Sequence, residues 1–514
     1  MTLTQLLENT VRQYPDRLAL KCKNEQITYN ELYQKSLSLA NTLVHQGVKK
    51  GDRVGFLFNK SIESVISIYG ILLSGGCYVP LDIKSPDTRL SRILNDCDIQ
   101  IVITSKKEKG VELLSETGVH TVITTATTPE TGFDKKVLSW DKAIQNNDQG
   151  VLPEIEENDT SYILYTSGST GVPKGIMHTH RSATSFALWA AKEFGLQETD
   201  VVSNHAPYHF DLSTFDLFSS CAVGATMIII PEFLVRFPAS VVKLIADEKI
   251  SVWYSVPSAL VQMLQRGSIT KEKMDPLRVI LFAGEEFPVK FLQGLMDITP
   301  NAQLANLYGP TETNVCTYYH VDRNQEYNET LPIGMPCADF EYKIVDDNEE
   351  EVRKGVQGEL LVTGPHLMKG YWNMEDLNAK TLVKTQNKVF YKTGDFVKEV
   401  DGNLMFLGRK DRQIKLRGFR IELDEIEHLV QNITGVEEAV VYVVENENVE
   451  VIKTSITLAE PKHKDKSEEF ISKQLVAQLP NYAVPSIIEI LEMLPRTSSG
   501  KIDRQKLISG MISI

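Results

Sequence analysis

Residues 165–175 read YTSGSTGVPKG, a segment that combines three glycines, four serine or threonine hydroxyls and a lysine. Glycine lets backbone N–H groups approach an anion closely, hydroxyls donate further hydrogen bonds, and Lys174 adds a compact positive charge. The residues before it, 162–165 (YILY), read as a short strand that leads into the loop. The segment predicts a phosphate-binding loop, although a solvated glycine-rich turn would have the same composition.

This loop differs from the P-loop of ordinary nucleoside triphosphatases, G-x-x-x-x-G-K-[ST]. Pro173 precedes the lysine, and Gly175 stands where the P-loop carries the hydroxyl that binds magnesium. The sequence therefore argues against an ordinary P-loop enzyme. The function depends on which partners for ATP chemistry occur elsewhere in the chain.

The composition is that of a globular protein with more than one domain. A chain of 514 residues is too long for a single hydrophobic core, and its 42% hydrophobic and 24% charged residues are ordinary fractions. The formal net charge of −14 argues against a nucleic-acid partner, because phosphate backbones require a basic surface.

Neither the cysteines nor the histidines form a metal-binding pattern. The six cysteines are scattered without a C-x-x-C pair, as is typical of reduced thiols. His178 and His180 lack nearby acidic or cysteine ligands, which favours a packing or surface role. The first residues show no secretory signal and no apolar run reaches transmembrane length, so we expect the protein in the cytoplasm.

Helical and strand patterns alternate along the first half of the chain, which is typical of parallel sheets covered by helices. Apolar spacing predicts helices over residues 3–14 and 61–73 and a strand over residues 53–58. After about residue 330, short and closely spaced strands such as 341–345 indicate a small antiparallel or barrel-like element.

A domain boundary is predicted near residue 408. It divides the chain into an N-terminal core of residues 1–408 and a C-terminal lid domain of residues 409–514. Within the second domain, the polar residues 460–469 are interpreted as a solvated connection.

Three further segments contain groups suited to ATP chemistry. Residues 307–313 (LYGPTET) combine an aromatic ring, a tight turn, a hydroxyl and a carboxylate, which suits stacking of a base and binding of Mg²⁺. Residues 391–395 (YKTGD) offer a carboxylate that can accept hydrogen bonds from two ribose hydroxyls. Residues 496–504 (RTSSGKIDR) place a lysine on a second glycine-rich loop. Taken singly, the first segment could be a plain turn and the last a flexible tail.

In this order and at these intervals, the four segments resemble the adenylate-forming superfamily, and within it the amino-acid-activating adenylation domains of nonribosomal peptide synthetases. The resemblance extends over essentially the whole chain. Further matching segments are ITYNEL (27–32), GCYVPLD (76–82), GEL (358–360), GYW (370–372), GRKDRQIKLRG (408–418) and LPNY (479–482).

The resemblance implies an α/β fold: a large N-terminal domain of two helix-flanked sheets plus a small β-barrel element, and a small mobile C-terminal α/β domain. It also implies an ATP- and Mg²⁺-dependent ligase. In that reaction the substrate carboxylate displaces pyrophosphate at the α-phosphorus, and a thiol then attacks the acyl adenylate.

The same resemblance assigns the nucleotide site. Lys501 matches the catalytic lysine, Glu312 would hold Mg²⁺, Tyr308 would stack on adenine, and Asp395 would bind ribose. The ATP-binding residues implied in this way are Thr166, Ser167, Gly168, Ser169, Thr170, Lys174, Gly284, Glu285, Glu286, Asn306, Tyr308, Gly309, Thr311, Asp395, Arg409 and Lys501.

The substrate class depends on residues 209–213 (HFDLS). In amino-acid-activating relatives an aspartate at the position of Asp211 pairs with the substrate's α-amino group, and a carboxylate in an apolar pocket requires such a cation. A surface aspartate capping a helix that begins at Ser213 is the alternative. His209 either gates the substrate carboxylate or packs beside Asp211. The other pocket positions are Leu212, Phe215, Ser255 or its neighbour Tyr254, Leu281, Ala283, Leu307, Val315 and Cys316.

This lining is apolar and carries no second charge, which suits a small aliphatic amino acid. It resembles the pocket of free-standing prolyl adenylating enzymes, so L-proline is the predicted substrate. D-Alanine, which other free-standing enzymes load for cell-wall modification, is the alternative.

The resemblance also implies a partner and a moving part. No phosphopantetheine attachment site follows Lys501, so the thiol is expected on a separate carrier protein, with coenzyme A the alternative. Asp411 matches the hinge about which the C-terminal domain rotates between the two half-reactions. A non-catalytic, adenylate-binding regulatory protein stays open as a different class of function, because fold does not establish activity.

Overall fold

The computed structural model describes residues 1–105, 114, 117–125, 135–146, 150–168, 173–327, 330–385, 387–446, 449–459, 464–497 and 502–509. The chain divides into two compact units. The first comprises Met1–Ile83, Leu94–Tyr165 and Gly175–Lys410, and the second comprises Lys84–Ile93, Thr166–Lys174 and Asp411–Ile514.

A nine-stranded sheet forms one half of the first unit. Its central strands are parallel, and antiparallel strands close both edges. In spatial order the strands are Met335–Pro336, Thr317–His320, Gln303–Tyr308, Val279–Ala283, Val252–Ser255, Val201–Asn204, Thr226–Ile229, Leu18–Cys22 and Glu25–Thr28.

An eight-stranded sheet forms the other half, and it too is mostly parallel. Its parallel strands are almost continuously apolar, as expected where helices cover both faces. In spatial order the strands are Gly370–Tyr371, Lys174–Thr179, Thr160–Thr166, Cys77–Pro80, Arg53–Leu57, Ile101–Thr104, Thr121–Thr124 and Lys136–Ser139.

The predicted small antiparallel or barrel-like element is an antiparallel sheet of five strands, arranged around the long strand Val389–Val400. Its other strands are Glu341–Val345, Gly358–Thr363, Leu382–Lys384 and Asn403–Arg409.

The helices begin where the sequence supplies N-caps. Thr2, Thr28, Ser61 and Thr179 each accept a hydrogen bond from the third residue of the helix that follows, which satisfies an N–H group without a partner in the helix. The α-helices are Leu3–Gln13, Tyr29–His45, Ile62–Leu73, Asp87–Asp96, Trp140–Ala143, His180–Glu193, Leu212–Thr214, Ser220–Val223, Glu232–Val235, Pro238–Asp247, Pro257–Arg266, Lys271–Met274, Leu292–Ile298, Glu375–Thr381, Leu423–Gln431, Lys464–Val476 and Arg504–Ile508.

The second unit contains a three-stranded sheet, Val436–Asn446, Val449–Leu458 and Ile487–Ile490, with a core of its own. It also contains the hairpin Gln413–Leu416 and Phe419–Glu422. Arg417 and Gly418 connect this hairpin with φ of 54° and 79°, the left-handed pair that a two-residue type I′ turn requires.

The predicted elements agree with the structure to within one or two residues: the helix predicted over residues 61–73 is Ile62–Leu73, with Ser61 as its N-cap. The interpretation of residues 460–469 as a connection is wrong from residue 464, where the helix Lys464–Val476 begins. Ile471 and Leu475, one turn apart, are buried in the core of the unit, and this contact stabilises a helix with a polar start. Among the described residues no helix is long and apolar enough to span a membrane.

Gly70 tests the packing between two helices of the first unit. A Cβ atom at this position would lie 2.7 Å from Cδ2 and 3.0 Å from Cβ of Leu39, which is fully buried in the helix Tyr29–His45. We expect Gly70→Ala to lower stability by about 1–3 kcal/mol, although alanine is the better helix former. The midpoint of urea unfolding measures the effect.

Gly294 is the matched control, because it also lies in a helix but a Cβ there would meet nothing within 4 Å. Gly294→Ala should raise stability by up to about 1 kcal/mol. Shifts of the same sign in both variants would contradict the packing argument.

Candidate functional site

Three of the predicted site segments follow strands that belong to a run of four adjacent parallel strands in the nine-stranded sheet. Gly284 follows Val279–Ala283, Gly309 follows Gln303–Tyr308, and Asp211 lies on the connection after Val201–Asn204. Since these strands run parallel, their carboxyl ends share one edge of the sheet, where α/β proteins bind ligands. The fold thus gathers segments that are distant in sequence.

Asp395 lies at the centre of a buried polar cluster. Its Oδ2 accepts a hydrogen bond from the Tyr308 hydroxyl, and its Oδ1 is paired with the Arg409 guanidinium. Burial raises the pKa of Tyr308 well above its ordinary value, and the Asp395 carboxylate raises it further. The structure therefore brings together the three residues that the sequence assigned to the nucleoside.

Glu312 is fully buried, and its Oε1 accepts a hydrogen bond of 2.7 Å from the Tyr371 hydroxyl. Hydrogen bonds also hold the two backbone carbonyls of this turn. Met368 N donates to the Glu312 carbonyl at 2.8 Å, and His178 Nε2 lies 2.8 Å from the Thr311 carbonyl. A carboxylate held in this way is a ligand of the type that Mg²⁺ uses beside substrate phosphates.

A close backbone approach shapes the same turn. A Cβ at Gly309 would lie 2.2 Å from the Asn314 carbonyl oxygen, so no larger residue fits. Asn314 has φ of 59°, and its amide Nδ2 donates to Thr214 Oγ1 at 2.8 Å. Thr214 Oγ1 in turn donates to the Asp211 carbonyl at 2.6 Å. Hydrogen bonds thus connect the turn that carries Glu312 to the one that carries Asp211.

Asp211 precedes the single-turn helix Leu212–Thr214, and its Oδ1 accepts from Leu212 N at 2.9 Å. It does cap a helix, but it is partly buried. Burial raises the pKa of Tyr162 and of Tyr254 above the ordinary value, and the nearby Asp211 carboxylate raises both further. The carboxylate therefore lies close to two buried aromatic side chains.

The apolar positions predicted around Asp211 belong to one buried cluster that also contains Tyr254. The rings of Tyr254 and Phe215 meet edge-on, with their centroids 5.2 Å apart. Ser255 was predicted at this position, with Tyr254 as the alternative. It is the next residue of the same strand, so its side chain projects from the opposite face, where it accepts a hydrogen bond of 2.8 Å from Trp253 Nε1. The other predicted members of the cluster are Leu212, Leu281, Ala283, Leu307, Val315 and Cys316.

Two of the predicted nucleotide contacts, Glu285 and Asn306, form hydrogen bonds within the protein. Glu285 Oε1 accepts from Ser258 N at 2.6 Å, near the start of the helix Pro257–Arg266, and Asn306 Nδ2 donates to the Pro332 carbonyl at 2.8 Å. Glu286 is exposed. The ring centroids of His209 and Phe210 lie 4.9 Å apart. His209 also lines a small cavity.

In the second unit, the described ends of the glycine-rich segment contact the hairpin strand Phe419–Glu422. Ser167 Oγ donates to the Arg420 carbonyl at 2.8 Å, and Lys174 Nζ lies 3.4 Å from Glu422 Oε1. Asp411 Oδ1 accepts from Gln413 N at 3.2 Å. Gly168 ends the described part of the segment, while Ser169, Thr170 and the predicted catalytic Lys501 lie outside the described residues.

Sequence reasoning did not assign roles to Tyr371, Asn314 or His178. Tyr371 reaches Glu312 across 59 positions of sequence, so no local pattern could connect them. His178 and His180, for which the sequence favours a packing or surface role, are both buried. Among the described residues, no cluster of three or more histidine, cysteine or acidic side chains could hold a metal ion.

Comparison with known proteins identifies matches over both units. The model of the family described as AMP-binding enzyme matches residues 7–372, and that of the AMP-binding enzyme C-terminal domain matches residues 425–501. The chain is 35% identical to ligases of L-proline and the L-prolyl-carrier protein from Streptomyces coelicolor, over 98% of this chain and 96% of the relative, and from Pseudomonas fluorescens, over 98% of each.

Solved structures share the fold. An adenylation domain of Vibrio cholerae in complex with glycyl-adenosine-5'-phosphate superposes with a TM-score of 0.86 at 24% identity, over 100% of this chain and 98% of that one. An artificially fused adenylation and carrier-domain protein from Klebsiella oxytoca superposes with a TM-score of 0.79 at 22% identity, over 95% and 93%.

His366 allows the packing beside the apolar cluster to be tested by pH. Its Nδ1 donates to the Val315 carbonyl at 3.0 Å, and burial lowers its pKa from 6.5 to about 4. Between these pH values the unfolded chain binds a proton that the folded chain does not, so stability falls as pH is lowered through this range. His366→Phe keeps a ring among Phe186, Trp189 and Phe340 but loses both the hydrogen bond and the titration.

We expect His366→Phe to be less stable than the wild type near pH 7.5, and the difference to shrink as the pH is lowered to about 5.5. Thermal unfolding of both proteins across this range measures the difference. A difference that stays constant with pH would show that folding does not lower the pKa of His366.

Proposed function

Because this chain belongs to the family of AMP-binding enzymes, we propose that it activates L-proline as prolyl-AMP and transfers the prolyl group to the phosphopantetheine thiol of a carrier protein. Adenylation of an amino acid followed by transfer to a carrier is the activity of a ligase, the class to which its full-length relatives belong. The identity of the amino acid and the roles of individual residues are proposals.

One observation supports the substrate class: Asp211 is a partly buried carboxylate beside an otherwise apolar cluster. A charge in such surroundings is costly unless an opposite charge meets it, and the α-amino group of an amino acid supplies that charge. The apolar positions predicted around Asp211 carry no charged side chain that could pair with a substrate side chain. In our proposal, a compact aliphatic group such as the pyrrolidine of proline packs against the rings of Phe215 and Tyr254, which contact each other edge-on.

The first half-reaction joins the amino acid to AMP. A carboxylate oxygen of proline attacks the α-phosphorus of ATP, a new P–O bond forms, and the bond to the pyrophosphate oxygen breaks. The protein contributes positioning and neutralisation of charge. In our proposal, Lys501 bridges the carboxylate and α-phosphate oxygens, Thr311 contacts the α-phosphate, and the glycine-rich segment with Lys174 holds the departing pyrophosphate.

The nucleoside contacts in this proposal use the cluster around Asp395. An ionised carboxylate has about four acceptor sites, so Asp395 can bind ribose hydroxyls in addition to Tyr308 and Arg409. The buried ring of Tyr308 offers a face for adenine. The hydroxyl of Thr166 is buried without a hydrogen-bond partner among the described residues, which suits a donor whose acceptor is a ligand.

Glu312 is the residue that we propose as the protein ligand of Mg²⁺. The ion prefers one or two carboxylates together with substrate phosphates and water, rather than a cage made only of protein ligands. The fully buried Glu312, oriented by the Tyr371 hydroxyl, meets that requirement. When bound there, the ion would neutralise charge on the phosphate oxygens.

The second half-reaction transfers the prolyl group to the carrier. The thiolate attacks the carbonyl carbon of prolyl-AMP, a thioester bond forms, and AMP leaves with the electrons of the bond between acyl carbon and oxygen. In our proposal, the C-terminal domain rotates about Asp411 between the two half-reactions. A hinge of this kind absorbs a large backbone change in a few residues.

Amino-acid-dependent exchange of labelled pyrophosphate into ATP tests the proposed substrate. We expect L-proline to give the fastest exchange. Asp211→Asn should reduce kcat/KM for proline at least ~30-fold, because loss of one partner of a buried charge pair costs about 2–5 kcal/mol. Stronger exchange with D-alanine than with L-proline would overturn the choice of substrate, and no exchange with any amino acid would favour a non-catalytic adenylate-binding protein.

Asp216→Asn is the matched control for Asp211→Asn. Burial raises the pKa of Asp216 well above its ordinary value, and this buried carboxyl group, which has no place in the proposed site, accepts a hydrogen bond of 3.0 Å from Asn204. Its replacement by asparagine should leave the exchange kinetics close to those of the wild type. A loss as large as that of Asp211→Asn would show that the effect is not specific to the proposed amino-group contact.

Asp411→Pro tests the hinge. Proline fixes φ near −65° and restricts the residue before it, so rotation at this position should be blocked. We expect pyrophosphate exchange to survive while transfer of proline to pantetheine, used as the thiol acceptor, falls at least ~10-fold. Asp411→Ala, which leaves the backbone free, should retain both activities. Equal loss of both half-reactions in Asp411→Pro would contradict a hinge at this position.

A further inference from the structure

We infer that His178 is a positioning residue for the adenylation step: its imidazole holds the backbone of the turn that carries Thr311 and Glu312. The inference rests on the proposed function, because it gives a role to a residue beside the proposed nucleotide site. His178 itself touches neither ATP nor proline in this proposal.

The hydrogen bonds of His178 determine which ring nitrogen carries the proton. Nε2 lies 2.8 Å from the Thr311 carbonyl oxygen, which can only accept, so Nε2 must donate. Nδ1 lies 3.2 Å from Ser182 Oγ. Burial lowers the pKa of His178 to about 4, so the imidazole is neutral near pH 7 and Nδ1 accepts from the serine hydroxyl.

Packing fixes the ring in the orientation that this hydrogen bond requires. The rings of His178 and Tyr162 stack with centroids 5.0 Å apart and an interplanar angle of 27°. Ser161 Oγ donates to the His178 carbonyl at 3.0 Å, so the backbone of the residue is fixed as well. A side chain held by two hydrogen bonds and a stacking contact is a rigid support for the turn.

The turn needs this support because both of its functional side chains depend on one short stretch of backbone. Thr311 and Glu312 are adjacent, and the carbonyl between them accepts a hydrogen bond of 2.8 Å from His178 Nε2 and a longer one of 3.4 Å from Asn314 N. A displacement of about 1 Å from the productive geometry can reduce a rate about 100-fold. Removing the hydrogen bond should therefore affect the use of ATP without removing any proposed ligand group.

His180, two residues further along the chain, shows what a purely structural histidine does here. It is as buried as His178, and its pKa is also lowered by burial to about 4. Its Nδ1, however, accepts from Leu3 N at 3.2 Å, in the first helix of the chain. The pair thus provides a test residue and a matched control with similar burial.

The experiment compares His178→Gln, His178→Asn and His180→Asn by pyrophosphate exchange with L-proline. The amide nitrogen of glutamine reaches the position of Nε2 and can donate to the Thr311 carbonyl, whereas asparagine is shorter and can bond only Ser182. We expect His178→Asn to raise KM for ATP or lower kcat about 10-fold, with KM for proline changed less than about twofold. His178→Gln should recover most of the activity.

His180→Asn should lower the temperature of unfolding but keep the kinetic constants of the wild type. The inference is overturned if His178→Asn has the ATP kinetics of the wild type, or if His178→Gln is no better than His178→Asn. If His178→Asn does not fold, His178→Phe, which preserves the stacking on Tyr162 but has no donor, must show the same defect toward ATP.

The same assay separates this inference from the proposed function. Absence of exchange by the wild type with every amino acid would overturn the proposed function. Exchange by the wild type together with unchanged ATP kinetics in His178→Asn would overturn the positioning role alone.

Discussion

The burial of carboxylates is the constraint on which the proposed site depends. Asp395 and Glu312 are almost completely shielded from water, and each must find donors or cations in place of lost hydration. The fold supplies a guanidinium and a phenol to the first and a phenol to the second. Asp211, whose Oδ1 accepts from Leu212 N, is the partly buried carboxylate to which we assign the amino group of the substrate in our proposal. A protein that binds a polyanionic nucleotide can bury such groups only where each has a defined counterpart.

Much of the fold could be predicted from the sequence because its signals are local. The cap at Ser61 predicts the start of the helix Ile62–Leu73. Apolar runs between turns predict the strands Glu341–Val345 and Gly358–Thr363. The start of the helix at Lys464 was missed because its first turn is polar, and its formation depends on burial of Ile471 and Leu475 in a core made by distant strands.

The site was predictable as a set of segments but not as a set of contacts. A strand alternates its side chains, so an error of one position exchanges Tyr254 for Ser255 and moves a residue to the opposite face of the sheet. Tyr371 and His178 were not assigned to the turn at Glu312 because only the folded chain brings them there. Sequence motifs identify the residues proposed to take part in the reaction. The residues that orient those side chains are identified only from the tertiary structure.

The apolar cluster beside Asp211 alternates large and small side chains across neighbouring strands. Leu281 pairs in register with Ala305, and Ala283 pairs with Leu307. The strands Val279–Ala283 and Gln303–Tyr308 each contribute three side chains to the cluster, while the hydrogen bonds of the sheet involve only the backbone. The shape of the proposed amino-acid pocket could therefore change during evolution, or be redesigned, by exchanging volume between adjacent positions such as Ala283 and Leu307. Such exchanges would alter the accepted amino acid while the backbone that carries the nucleotide turn keeps its geometry.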